Sequence, residues 1–91
     1  MARTITVEIL VGADNETGKV DRDTLARILD ERHDGWTIRD GIGSWKGQRE
    51  ESVTVLLSDR RGRVMRTMAR VRDALRQDAV AWHEVSPLRF I

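Results

Sequence analysis

Apolar and polar residues alternate over residues 4–11, with Ile5, Val7, Ile9 and Val11 on one side and Thr4, Thr6 and Glu8 on the other. A period of two is that of a half-buried strand. Residues 12–19 are dense in turn formers. Asp21 then has the chemistry of a helix N-cap, and Asp23 complements the dipole in the first turn. Leu25, Ile28 and Leu29 form the stripe of a short amphipathic helix, which Asp34-Gly35 ends. A second strand is predicted over 36–45. Trp36, Ile38 and Ile42 share one face, interrupted by Asp40, while Gly41 and Gly43 on the other face suggest a bulge, a twist or a close backbone approach. Residues 46–51 read as a polar connection. Residues 52–58 read as a third strand, with Val53, Val55 and Leu57 inward and Thr54 and Leu56 on the reverse face.

The strongest periodic signal lies over 60–77, where Val64, Met68, Val71 and Leu75 recur at helical intervals and Met65 widens the stripe. Asp59 is the expected cap of this second helix. A fourth strand is expected over 79–85, interrupted by Pro87, and residues 88–91 could add a short extra strand. The order β-α-β-β-α-β predicts an α+β, ferredoxin-like sandwich: one antiparallel sheet with two helices on one face. The 91 residues suffice for a single domain over 1–91.

If the phases hold, Leu10, Trp45 and Leu56 have the wrong parity for the helix-covered face. Large apolar residues on an open sheet face mark a candidate oligomer interface, and a domain of this size gains from such a supplement. Scattered surface hydrophobes are the plainer explanation.

Composition narrows the chemistry. The chain has no cysteine, so a disulfide framework, a thiolate metal site and a cysteine nucleophile are excluded, and a reducing, cytoplasmic compartment is expected. Met1-Ala2-Arg3-Thr4 opens no apolar leader, and no apolar run is long enough to span a bilayer. The net charge of +1 predicts nothing about nucleic acid. Arginine greatly outnumbers lysine, which occurs only at Lys19 and Lys46, a bias that fits a GC-rich genome.

Three constellations compete for a role. In the 41–52 hairpin, Trp45, Lys46 and Arg49 gather an aromatic, two cations and glycine-rich backbone, a mixture suited to partner binding. A twisted hairpin whose Trp packs on a neighbouring strand accounts for it equally well. Arg63, Arg66 and Arg70 share a face of the second helix at helical spacing and could contact an anionic partner; a solvated face is the alternative. No recognised nucleic-acid module accompanies them, so nucleic acid is not the expected partner. His33 and His83 lack the spacing of a metal pair, and His33 near a helix C-terminus is explained by the dipole. Asp14, Glu16 and Asp21 do not match a calcium loop. No metal and no cofactor are expected. Ser44, Ser52, Ser58 and Ser86 lack the setting of a nucleophile, so the chain is not expected to be an enzyme.

Gly43-Ser44-Trp45-Lys46-Gly47 followed by Glu50-Glu51-Ser52-Val53-Thr54-Val55 is similar to the second hairpin of a family of small phage and bacterial ferredoxin-like proteins without an assigned activity. The opening strand and turn, Ile9 to Gly18, and a last strand ending near Pro87 extend that resemblance over nearly the whole chain. More distantly, Trp45-Lys46-Gly47 and Glu51 resemble the same hairpin in the divalent-cation-tolerance (CutA) and nitrogen-regulatory PII proteins. That resemblance implies ferredoxin-like subunits packed into a trimer with ligands at subunit clefts. The connection here is much shorter than the PII effector loop, and no cluster of glycines and basic residues marks a nucleotide site.

The expected function is therefore a non-enzymatic homo-oligomeric binding module, dimer or trimer. It would be a phage accessory protein that binds a host or phage protein through its outer sheet face and the 41–52 hairpin. Two alternatives stay open: a PII- or CutA-like small-ligand sensor or sponge with sites between subunits, and a nucleic-acid binder acting through the basic helix.

Overall fold

The computed structural model describes residues 3–91; Met1 and Ala2, the start of the stretch without a leader pattern, lie outside the described residues. Its elements run β1 (Thr4–Gly12), α1 (Arg22–Arg32), β2 (Trp36–Trp45), β3 (Gln48–Arg60), α2 (Arg61–Ala74) and β4 (Ala81–Val85). The four strands form one sheet in the order β2-β3-β1-β4, every neighbouring pair antiparallel. This is the predicted α+β ferredoxin-like architecture.

One core explains the arrangement. Ile5, Val7, Ile9 and Val11 of β1 lie in register with Val53, Val55 and Leu57 of β3, and all are buried. Leu25, Ile28 and Leu29 of α1 and Val64, Met68 and Val71 of α2 pack on them, with Leu75 just beyond α2. Each such aliphatic side chain contributes about 1.5–3 kcal/mol when fully buried. The Asp21 cap forms as expected: its carboxylate accepts from the Thr24 amide at 3.0 Å and the Thr24 hydroxyl at 2.7 Å.

Four boundaries differ from the sequence reading. First, residues 46–51 are not a loop. Lys46 and Gly47, at φ 50° and 80°, make a two-residue turn whose left-handed backbone matches the strand twist, and β3 begins at Gln48. Residues 48–51 lie beyond the end of β1 and are all polar, so no apolar alternation betrays the strand. The two strands run in unbroken register, Gly41 opposite Ser52 and Gly43 opposite Glu50, so the glycines mark no bulge. Second, Asp59 does not cap α2. Arg60 holds the N-cap position without a side-chain bond, and the carboxylate of Asp59 is engaged elsewhere.

Third, α2 stops at Ala74, before Gln77. The amide of Arg76 donates to the carbonyl of Asp73 and that of Gln77 to the carbonyl of Arg72, a Schellman closure that puts Arg76 at φ 54° where glycine is usual. Fourth, β4 begins at Ala81, and residues 88–91 add no strand: beyond Pro87 the chain is irregular.

Candidate functional site

The hairpin of β2 and β3 is the feature that departs from a plain sandwich. β1 pairs with β3 only as far as Gly12 opposite Ser52, yet β2 and β3 stay paired to Trp45 opposite Gln48. The hairpin tip therefore projects past the sheet, and the molecule is elongated, 42 × 23 × 20 Å. Arg22, in the first turn of α1, braces its base. Its guanidinium pairs with Asp40 of β2 at 2.8 Å and with Glu51 of β3. Glu51 also accepts from the Val20 amide at 3.2 Å. Arg22 and that amide hold the Glu51 carboxyl below its usual range. A charged Asp40 on the core-facing parity of β2 was the signal in the sequence that could have revealed this brace.

The structure brings two of the three hairpin candidates together. Lys46 Nζ sits 5.8 Å from the centroid of the Trp45 ring, within cation–π range. Arg49 lies opposite Ser44 and so points to the other face of the hairpin. Trp45 does not pack down on a neighbouring strand: it is 69% exposed, and Ile42 on the opposite face of the tip is 80% exposed. Ile42 carries the larger exposed apolar fraction, although it shares a strand face with Trp36 and Ile38, which pack against the core.

Parity put Leu10, Leu56 and Trp45 on the outer face, and the register agrees: Leu10 opposes Thr54, Leu56 opposes Thr37, and Trp45 opposes Gln48. They do not form one patch. Leu10, 49% exposed, and half-buried Leu56 are diagonal neighbours on the sheet. The eight positions from Leu56 to Gln48, at about 3.4 Å each, put Trp45 about 27 Å away along the strand. The outer face also carries polar pairs, Thr6 Oγ1 donating to Ser58 Oγ at 3.0 Å and His83 standing 3.4 Å from Glu8, beside Ala81 and Val85 of β4.

The basic face of α2 is smaller than its spacing suggests. Arg70 forms a two-point ion pair with Glu31 of α1, which raises its own pKa and lowers that of Glu31. Arg63 Nη1 donates to the carbonyl of Arg32 at 3.3 Å, capping the end of α1. Of the three, Arg66 alone has neither an ion pair nor a hydrogen bond among the described residues. Arg63 and Arg70 instead tie the last turn of α1 to α2.

His33 answers not to the helix dipole but to a network the sequence reading missed. Its side chain is 1% exposed, with Nδ1 2.7 Å from Asp59 Oδ2 and Nε2 2.7 Å from the hydroxyl of buried Thr67. Burial works against a charged Asp59, but the Arg60 amide and His33 outweigh it and hold that carboxyl below its ordinary value. The chain ties the end of α1, the end of β3 and the middle of α2. It has the hydroxyl–imidazole–carboxylate order of a nucleophile relay, but Thr67 faces no solvent.

A cavity of about 430 Å³ opens between residues 12–21 and the end of α2, lined among others by Val20, Leu75, Lys19 and Arg76. Asp14 is spent on the loop itself. It accepts from the amides of Glu16 and Thr17 and pairs with Arg76 at 2.8 Å, contacts that lower its pKa against the cost of burial. Arg76 also pairs with Glu16 at 3.0 Å. Asp21 is spent on the start of α1. Lys19 makes no ion pair among the described residues and lines the cavity.

No family model matches the chain, and no curated protein matches it in sequence. Solved structures do match in fold. A DUF3240 family protein from Shewanella baltica OS155 superposes with a TM-score of 0.68 at 9% identity, over 99% of this chain and 96% of that one. The divalent ion tolerance protein CutA1 from Ehrlichia chaffeensis gives 0.62 at 13%, over 100% and 87%. CPII, a nitrogen regulatory PII-like protein from Thiomonas intermedia K12 solved with ADP, AMP and bicarbonate, gives 0.63 at 13%, over 100% of both chains. Identities this low show a shared fold, which reaches the CutA and PII-like proteins and leaves the phage family and its hairpin motif without support.

Proposed function

We propose that this chain is a non-enzymatic, homo-oligomeric binding module whose copies meet through the projecting hairpin and the outer sheet face. The observation that carries the reading is the hairpin tip, a projection braced at its base that holds Ile42 and Trp45 in solvent. Exposed apolar residues on a rigid arm are costly in isolation and are accounted for by a partner surface. Two separated apolar sites, the tip and the Leu10–Leu56 pair, allow the arm of one copy to reach the sheet of the next. The relay of Thr67, His33 and Asp59 supports a non-catalytic role, because it is sealed and braces the helices. The cysteine-free composition supports a cytoplasmic setting. The partner in this reading is a second copy; a phage or host protein is not needed to explain the surface.

The test is the pair Trp45→Ala and Ile42→Asp. Each weakens self-association, measured by light scattering, by more than it lowers the unfolding midpoint. Loss of the fold in both variants with association untouched in the folded fraction contradicts the reading.

A second reading is favoured by the cavity. Lys19, without an ion pair among the described residues, and Arg76, already held by Asp14 and Glu16, line about 430 Å³ in a fold shared with a PII-like protein solved with ADP, AMP and bicarbonate, so a small anionic ligand held by Lys19 fits a sensor role. Titration calorimetry with ADP, AMP and bicarbonate checks it: heat that vanishes in Lys19→Ala supports a ligand site, and no heat with any of the three removes it.

A further inference from the structure

Between the end of β1 and the tip of the hairpin, no strand pairs with the inner edge of β3. Residues 48–51 pair with β2 on one side, and on the other β1 has already ended at Gly12. No main-chain hydrogen bond reaches that side among the described residues. An open strand edge is a template for one more strand. At the opposite end of the molecule, residues 86–91 leave β4 without a partner, and Phe90 is 91% exposed with Leu88 also exposed.

We infer that residues 88–91 of one copy pair as an added antiparallel strand with the open edge 48–51 of a second copy, an inference that rests on the homo-oligomeric reading above. Reach excludes the chain's own hairpin. β4 runs away from the tip, and Val85 lies level with Ser58 through Thr6. From there to Glu51 is about 24 Å along β3. Fully extended, residues 86–91 span at most about 20 Å and start in the wrong direction.

Charge selects this edge and its register. Glu50 and Arg89 have no ion pair among the described residues, and setting them opposite each other fixes the other pairs. Leu88 then opposes Glu51 in the row of Ile42, Phe90 meets the Arg49 guanidinium, and Ile91 opposes Gln48 in the row of Trp45. The outer edge of β2 is the poorer template, because Arg39 there repels Arg89.

The experiment compares four proteins by sedimentation across a concentration series: the full chain, a variant ending at Ser86, Arg89→Glu, and Arg89→Glu with Glu50→Arg. The expected result is an oligomer whose dissociation constant rises at least about tenfold in the first two variants and recovers in the charge-swapped pair. Circular dichroism shows the monomer fold unchanged, since residues 86–91 lie outside every strand and helix. A shortened chain that associates as tightly as the full one overturns strand donation and leaves the homo-oligomer standing. A full chain that is monomeric at every concentration overturns both.

Discussion

Replacing Thr67 by valine keeps the side chain's volume and branching and removes one hydroxyl from a site with no exposure to solvent. In the native protein that hydroxyl lies 2.7 Å from His33 Nε2, while Nδ1 faces the Asp59 carboxylate at 2.7 Å. Nδ1 donates to that carboxylate, and the Thr67 hydroxyl is the one partner that Nε2 has among the described residues. Valine leaves that nitrogen unpaired, and a ring this buried has no water to turn to. An unsatisfied buried polar group costs about 1–3 kcal/mol. The extra buried methyl returns less than about 1 kcal/mol, and helix propensity hardly separates the two residues. The net loss is about 1–2 kcal/mol, against a total of about 5–14 kcal/mol for a chain of this length. The melting temperature should fall by roughly 4–16 °C. Urea unfolding followed by circular dichroism checks it: the midpoint drops while the slope stays unchanged. A midpoint equal to that of the parent protein means that the hydroxyl does not support His33, and the strut joining the two helices is refuted.

The remaining expectations are simpler. Met68→Asp sets an unpaired charge among Val64, Val71 and the sheet and should cost at least about 4 kcal/mol; a soluble variant with native circular dichroism contradicts the packing of α2. Asp14, Asp21, Glu31, Glu51 and Asp59 all have lowered pKa values in the folded state. Their contribution is therefore full above the unfolded carboxylate range and is lost as the pH falls through the folded values. The urea midpoint should hold from neutral pH to about pH 5 and decline below about pH 4; a midpoint that stays level to pH 2 contradicts those pairings. Arg76→Gly relaxes a left-handed backbone and removes exposed ion pairs, opposing effects of similar small size, so the melting temperature should shift by less than about 5 °C. A large drop in a melting curve would show the clamp on Asp14 to be structurally essential.

Where a segment is half in water and half in the core, its alternation could be read directly: β1, the range of β2 and the stripe of α2 all followed from periodicity. Asp21 was legible as a cap because capping is a local contact. Asp59 looked like one for the same reason, but a distant residue, His33, competes for its carboxylate, and no local pattern announces a partner 26 residues away. Strand residues 48–51 were hidden because they run past the apolar core, which imposes no period on them. Parity placed Leu10, Leu56 and Trp45 on the outer face but carried no information about distance, so the gap along the hairpin emerged only from the register. Likewise the spacing of Arg63, Arg66 and Arg70 predicted a shared helix face, whereas which charges are neutralised depends on where α1 ends.

Sedimentation equilibrium of the full chain from micromolar to millimolar concentration tests the surface assignment most directly. The account predicts a mass that is a multiple of 10.4 kDa and falls toward a single copy on dilution. A constant mass of 10.4 kDa across the whole range would leave Ile42 and Trp45 without their self-partner and contradict it.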